Sequence, residues 1–376
     1  MLKFALVGCG RIAKRHAEIL GSGQIAGAGL VAVCDSTEAR ARAFGEKYSV
    51  PFFTDYHRMM HALGAKIDVV SIATPSGTHA AICLDLAPYG KDIVVEKPMA
   101  LTLADADAMI AACAKARVRL FVVKQNRYNV PVQKLREAME ANRFGKLVLG
   151  TVRVRWCRTQ EYYDQDEWRG TWADDGGVFA NQASHHVDLL QWMMGDVESV
   201  FATSATRLVD IEVEDTGAAL LKFSSGAIGI IEATTAARPV DLEGSISILG
   251  ENGTVEIDGF AVNRMKLWHF NDATENDRTV LEQYRENPPN VYGFGHLRFL
   301  EHVVDCIRND RPALVDGHEG RRSLELITAI YESIESGQEV SLRFRPEKSR
   351  LGRRDAAPAA DAAAARRELP PRKSVS

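Results

Sequence analysis

The sequence predicts an α/β chain in two parts: an N-terminal doubly wound parallel sheet, then an α+β domain with a large, open, mostly antiparallel sheet. Through the first third, short continuous apolar runs alternate with helix-like stretches, the pattern of a parallel sheet covered on both faces. After about Leu147 the apolar residues begin to alternate with polar ones, as in strands with one buried face. A length of 376 residues exceeds what one core usually organises, and 46% hydrophobic with 26% charged residues is ordinary globular composition.

In chain order, the predicted strands of the first part are Phe4–Val7, Leu30–Cys34, Val69–Ala73, Ile93–Val95 and Leu120–Val123. Between them the helical candidates are Ile12–Leu20, Glu38–Tyr48, Tyr56–Leu63, Thr78–Ala87 and Leu103–Ala116. The second part offers strands at Val148–Trp156, Ala218–Phe223, Ala227–Ile231 and Ser245–Leu249, with helices at Val132–Ala141, Phe179–Met194, Phe294–Asn309 and Gly317–Ser336. Asn252-Gly253 is read as a tight primed turn, which needs positive φ at its central residues. The last two helices are expected to pack back on the domain or its interdomain face. Domain bounds are read as 1–125 and 126–348. The Ala-, Arg- and Pro-rich remainder, 349–376, is expected to be a disordered tail, because it has too little apolar surface to offset ordering entropy.

Bulk properties narrow the function. A net charge of −4 argues against nucleic-acid or anionic-membrane partners. No apolar run nears the ~20 residues that span a bilayer, and the N-terminus runs straight into a glycine turn without a signal-peptide pattern. The six cysteines are scattered with no CxxC pair, as expected of reduced thiols in a cytoplasmic protein.

Gly8-Cys9-Gly10-Arg11-Ile12-Ala13 follows the first strand and opens a helix. This is the G-x-G-x-x-G/A dinucleotide fingerprint of a Rossmann domain. Gly8 permits the turn, Gly10 lets a pyrophosphate approach the backbone, and the small Ala13 allows helix and sheet to pack closely. The helix N-terminus beside Arg11 and Ile12 offers free N–H groups to phosphate. Asp35, at the end of the second strand, can accept from ribose hydroxyls and would repel a 2′-phosphate, so NAD is expected over NADP. Asp35-Ser36-Thr37 could equally be a helix cap, and Arg40 could serve NADP. Thr74, Pro75 and His79, after the third strand, and Gln125, after the fifth, fall where loops line the ligand crevice. His79 could instead be an ordinary helix-start residue.

Glu96-Lys97-Pro98 follows the fourth strand, where buried charge is costly without a role. Asn181, His185 and Asp188 recur at spacings of four and three, which would set them on one helix face. His186 would point about 100° away. No metal is expected, since His57 and His61 lack a ligand-like partner between them.

Together, the glycine motif, the Glu-Lys-Pro triplet and Gly176-Gly177-Val178-Phe179-Ala180-Asn181-Gln182-Ala183-Ser184-His185-His186-Val187-Asp188 resemble the Gfo/Idh/MocA family of glucose-fructose oxidoreductase, inositol dehydrogenase and relatives. The resemblance covers about residues 1–350. It implies a Rossmann unit with an open antiparallel sheet, Lys97 and His185 as catalytic residues, Glu96 near the nicotinamide ribose, and a homotetramer packed through the open sheets. The family pattern G-G-x-x-x-D-x-G-x-H-x-x-D is broken at Asn181 and Ala183. A neutral Asn cannot hold a proton or stabilise a charged Lys97 as a carboxylate would.

Asn181, Gln125–Asn129, Arg155–Tyr163, and the runs MLKFALVGCGRIAKRH and GGVFANQASHHVDLLQWMMG resemble a narrower group, the UDP-N-acetylglucosaminuronate 3-dehydrogenases of bacterial surface-polysaccharide biosynthesis. A UDP-sugar acid carries a diphosphate and a carboxylate, which Arg forks and aromatic surfaces suit. Arg158, Tyr162, Tyr163, Trp168 and Arg169 form an aperiodic segment read as a substrate loop. Asn181, Gln182 and His185 are expected to orient the sugar. Arg238, Tyr292 and His296 are further candidates, and Arg153 and Arg155 could equally be a solvated sheet face. Either Lys97 or His185 could be the base, with the other fixing the oxygen. Three rivals remain: another sugar or polyol dehydrogenase such as an inositol enzyme, an NAD-dependent glycosidase with no net NADH, and a non-catalytic NAD-binding protein.

Overall fold

The computed structural model describes residues 1–286, 293–344 and 349–352. The first sheet holds β1 (Leu2–Val7), β2 (Ala28–Cys34), β3 (Phe52–Phe53), β4 (Val69–Ile72), β5 (Asp92–Val95) and β6 (Leu120–Val122). All neighbours are parallel, in the order β3-β2-β1-β4-β5-β6. Every residue of β4 is buried, as expected of a strand with helices on both faces. The covering helices are α1 (Ala13–Gly21), α2 (Glu38–Tyr48), α3 (Tyr56–Leu63), α4 (His79–Leu86) and α5 (Leu103–Ala116). Strand order reverses between β1 and β4, which opens a crevice at their carboxyl ends.

The second sheet is entered through α6 (Val130–Glu140) and β7 (Leu147–Arg155), followed by α7 (Gln160–Tyr163) and α8 (Ser184–Met194). Next come β8 (Val197–Ala205), β9 (Thr216–Phe223), β10 (Ile228–Thr234), β11 (Glu243–Gly250), β12 (Gly253–Asp258) and β13 (Arg264–Phe270). The chain closes with α9 (Val280–Gln283), α10 (Gly295–Asn309), α11 (Gly317–Ser336) and β14 (Val340–Ser341). The order is β13-β12-β11-β7-β10-β9-β8-β14, antiparallel except where β10 runs parallel to β7. Along β7, Gly150, Val152 and Val154 face inward, and α8 sits on them so closely that a Cβ at Gly150 would lie 2.8 Å from Leu190. On the opposite face Arg153 pairs with Glu243 at 3.3 Å and Arg155 with Glu232 at 2.6 Å. These two arginines belong to the sheet face.

Three expectations are corrected. The hairpin at Asn252-Gly253 forms, but neither residue has positive φ. Its last paired residues are Leu249 and Thr254, and this wider loop is tied to the Phe144 carbonyl by the Asn252 N–H at 3.0 Å. The helix expected from Phe179 begins at Ser184. The tail does not start at 349: Leu351 is buried, and the Gly352 N–H donates to the Trp172 carbonyl at 2.9 Å. Residues 353–376 lie outside the described residues.

The chain also returns to its first sheet. Phe299, Leu300, Val303 and Val304 of α10 share a buried cluster with Phe4, Leu6, Ala13 and Phe121. The Val122 N–H donates to the Val315 carbonyl at 3.1 Å. All six cysteines are free thiols, five of them buried. Among the described residues no helix is long and apolar enough to cross a membrane.

Candidate active site

One cleft of about 850 Å³ is lined by the glycine turn, by Lys97 and by an arginine-rich wall of the second domain. At its first end Gly8 has φ +94°, and a Cβ there would lie 2.5 Å from the Ala73 carbonyl, so only glycine fits between β1 and β4. Gly10 has nothing within 4 Å on its Cβ side, which leaves bare backbone and the start of α1 facing the cleft. Asp35 both lines the cleft and anchors the turn: Oδ2 accepts the Cys9 N–H and Oδ1 the Thr37 N–H, each at 2.8 Å. Ribose binding and local turn formation are thus compatible, because each carboxylate oxygen has a second lone pair. Arg11, Ile12, Thr74, Pro75 and Gln125 also line the cleft, as does Arg40. His79 does not. Its ring lies between the Pro98 carbonyl at 2.8 Å and the Thr74 carbonyl at 3.0 Å, which makes it part of the wall's support. These features fit a bound dinucleotide: a cradle without side chains, a helix N-terminus, and an acidic end.

Lys97 follows β5 and lines the cleft. Its Nζ donates to the backbone carbonyl and to Oδ1 of Asn181, both at 3.0 Å. The Asn181 carbonyl also accepts from Ser184 Oγ at 2.9 Å. It is therefore engaged where a helix would have used it for the residue-185 N–H, and regular helix starts only after this point. Asn181 consequently reaches Lys97 from a turn that precedes the helix of His185, rather than from the same helix face. Burial lowers the Lys97 ammonium to about 8, although the charges of Glu96 and Asp175 oppose the shift.

His185 sits on the first turn of α8, behind the cleft lining. Burial, reinforced by the charge of Lys97, holds its imidazolium well below the usual range, so the ring is neutral. Neither ring nitrogen has a hydrogen-bonding partner among the described residues. His186 is likewise neutral and packs edge-on to Trp156, with centroids 6.0 Å apart. Gln182 is buried and does not line the cleft.

Glu96 faces the cleft with its carboxylate fixed from behind. His16 Nε2 lies 2.9 Å and His296 Nε2 3.2 Å from its Oε1, and the Lys97 N–H donates to Oε2 at 3.0 Å. Burial pushes this carboxyl up, but the two histidine hydrogen bonds prevail and hold it well below the usual range. His16, Glu96 and His296 form the one set of side chains among the described residues with metal-compatible spacing. Their contacts account for them as a hydrogen-bonded triad. Residue numbers this far apart give no spacing signal, so sequence reasoning missed the triad, although His296 alone was a candidate.

Tyr162 centres the far wall. The guanidiniums of Arg169, Arg158 and Arg11 lie 4.7, 5.3 and 5.6 Å from its ring centroid, and Arg169 also stacks on Trp168 at 4.5 Å. Arg158 is held by Asp241 at 2.8 Å and Arg169 by Asp166 at 3.0 Å. Arg11, on the glycine turn, donates to Gln165 of this wall and so joins the two ends of the cleft. Two expected members are elsewhere. The Tyr163 hydroxyl pairs with Thr235 Oγ1 at 3.2 Å in the interior. Arg238 spends its guanidinium on carbonyls of Thr235, Ala237 and Arg158, bracing the wall instead of lining it. Tyr292 lies outside the described residues. Asp175, unmentioned by sequence reasoning, accepts from Asn181 Nδ2. Its position directly before Gly176-Gly177 was the available signal.

Comparison with known proteins agrees with this geometry. Residues 2–124 match the NAD-binding Rossmann fold of an oxidoreductase family, and residues 136–342 match that family's C-terminal alpha/beta domain. The WlbA dehydrogenase from Bordetella pertussis, solved with NADH and UDP-GlcNAcA, is 45% identical, with a TM-score of 0.85 over 91% of this chain and 97% of that one. The WlbA dehydrogenase from Chromobacterium violaceum, with the same ligands, is 42% identical, with a TM-score of 0.84 over 91% and 96%. Myo-inositol 2-dehydrogenase from Thermotoga maritima is 29% identical over 91% of this chain and 98% of its own length.

Proposed function

The chain belongs to the Gfo/Idh/MocA oxidoreductase family, and from that premise we propose that it oxidises the C3 hydroxyl of UDP-N-acetylglucosaminuronic acid to the 3-keto sugar, using NAD, in bacterial surface-polysaccharide biosynthesis. One observation carries the reading: a dinucleotide cradle, Lys97 and a cationic, aromatic wall line one continuous cleft. The 45% identity to a dehydrogenase holding NADH and UDP-GlcNAcA supports the same substrate over a free polyol.

NAD, when bound, supplies the hydride acceptor. Gly8, Gly10, Arg11 and Ile12 hold its diphosphate, Asp35 its adenosine ribose, Thr74, Pro75 and Gln125 its flanks, and Glu96 its nicotinamide ribose. Lys97 accepts the C3 hydroxyl proton, since an ammonium lowered to about 8 has a useful neutral fraction near neutral pH. His185, neutral and with both ring nitrogens unengaged, fixes the same oxygen. Asn181 orients Lys97. Arg158 and Arg169, with Tyr162 and Trp168, take the diphosphate and carboxylate of the sugar nucleotide. The chain works as a homotetramer, assembled through the outer sheet face where Phe201, Leu220 and Ile228 are 45%, 55% and 52% exposed.

Incubation with NAD and UDP-N-acetylglucosaminuronate should yield NADH and a sugar nucleotide lighter by two hydrogens, located at C3 by mass spectrometry. Turnover of myo-inositol with the UDP-sugar untouched would overturn the substrate, and hydrolysis without net NADH would indicate a glycosidase. Lys97→Ala and His185→Ala should each lose about 10²–10⁴-fold in kcat with dinucleotide binding retained. Near-parental turnover in both would remove the assignment.

A further inference from the structure

Asn181 stands between an ammonium and a carboxylate. Its Oδ1 accepts from Lys97 Nζ at 3.0 Å, and its Nδ2 donates to Asp175 Oδ1. Asp175 is only 1% exposed, and its other oxygen accepts the Gly170 N–H at 2.8 Å. A side-chain amide has an accepting end and a donating end of nearly equal size, so shape alone does not decide which end faces the ammonium. A carboxylate can only accept. It draws Nδ2 toward itself and leaves Oδ1 for Lys97. The Gly170 N–H in turn pins the carboxylate, so each donor in the chain Gly170–Asp175–Asn181–Lys97 meets an acceptor.

We propose that Asp175 is a positioning residue: acting through the amide of Asn181, it sets the direction and the charge state of Lys97. This rests on the reading of Lys97 as the proton acceptor. It locates near the site the carboxylate that position 181 lacks, one amide removed from the ammonium. Burial pushes the Asp175 carboxyl up to about 6, against the Gly170 hydrogen bond and the charges of Lys97 and Arg169, so it is ionised at assay pH. The charged groups acting on Lys97 are Glu96 and Asp175 on one side and Lys124 and Arg169 on the other, with the neutral His185 nearby. Asp175 is thus one of two anions that keep the ammonium from falling further.

The test uses the full-length protein with NAD and UDP-N-acetylglucosaminuronate. Asp175→Asn keeps the shape but has one accepting atom for two donors, Gly170 N–H and Asn181 Nδ2. It should lower kcat about 10–100-fold with little change in KM. In the free enzyme, NMR of isotopically labelled, reductively methylated lysines should show the Lys97 titration moving down by about one pH unit. The double variant Asp175→Asn/Asn181→Asp exchanges the two groups. The amide then at position 175 can accept from the Gly170 N–H and donate to the carboxylate at position 181. It should recover kcat to within several-fold. An unshifted Lys97 titration in Asp175→Asn, or a kcat deficit that persists in a folded double variant, would overturn the proposal. If parental enzyme leaves the UDP-sugar unreacted, the functional reading fails by itself, and the lysine titration still decides the role of Asp175.

Discussion

Asp35 does two jobs with one carboxylate. It ties the glycine turn to the end of β2 through the Cys9 and Thr37 N–H groups, and it presents the remaining lone pairs to the cleft. A ribose held there exchanges hydrogen bonds to water for charge-assisted ones, a difference of about 1.5–3 kcal/mol. Asp35→Ser should therefore reduce kcat/KM for NAD about 10–100-fold and, with Arg40 at the same end of the cleft, narrow the preference over NADP. Steady-state kinetics with both dinucleotides checks this, and an unaltered preference would mean that Asp35 serves only the turn. At this scale the sequence was most informative where chemistry is local. Gly8, Gly10 and Asp35 lie in one strand–turn–helix pattern, whereas Glu96 meets His16 and His296 only through tertiary folding.

Between elements, the helix of His185 is held by buried charge. Arg127, on the 3-10 turn Gln125–Tyr128 after β6, grips Asp188 of α8 with two hydrogen bonds of 2.7 and 2.8 Å and reaches Glu319 of α11 at 2.9 Å. Lys124 lies 3.7 Å from the same Asp188 and donates to Ser323 of α11 at 2.7 Å. Removing this anion would leave two buried cations, Arg127 and Lys124, with the partly exposed Glu319 as the remaining carboxylate partner of Arg127. Asp188→Ala should cost about 3–5 kcal/mol in denaturant unfolding, and a loss under ~1 kcal/mol would show that solvent reaches the network. The spacing of Asp188 from His185 was legible in the sequence, but its partner was not: a three-residue interval fits a substrate-facing and a structural carboxylate equally. The start of α8 at Ser184 is illegible for a related reason. Apolar periodicity continues through Phe179–Ala183, but the competition of Lys97 for the Asn181 carbonyl is a long-range event that no local window contains.

At the scale of the whole molecule, Glu214 supplies a contribution to stability that declines as pH rises from about 4.5 to about 7. Glu214 is 4% exposed, its Oε1 accepts from the Phe179 N–H at 3.1 Å and the Tyr331 hydroxyl at 2.9 Å, and its Oε2 has no partner among the described residues. Burial pushes this carboxyl from 4.5 up to about 7 against those bonds. A folded value above the unfolded one contributes fully below pH ~4.5 and is lost as pH climbs through ~7, a swing of about 3 kcal/mol. Asp175, raised to about 6, adds in the same direction. Glu214→Gln should flatten the decline and exceed the parent in Tm above pH 8; an identical pH profile would exonerate Glu214. The two-sheet plan was readable because strand periodicity survives in single segments. Strand order was not, since β7 lies between β10 and β11, residues far later in the chain. Nor was the allegiance of α10, whose Phe299, Leu300 and Val303 cover Phe4, Leu6 and Phe121. A fragment ending near residue 125 would keep α1 on that face of its sheet but lose the part of the cover that α10 supplies, exposing apolar surface to water and to other chains. The nucleotide-binding half is thus finished by residues made nearly two hundred positions later, and a foreign partner joined at that junction would have to bring an equivalent cover of its own.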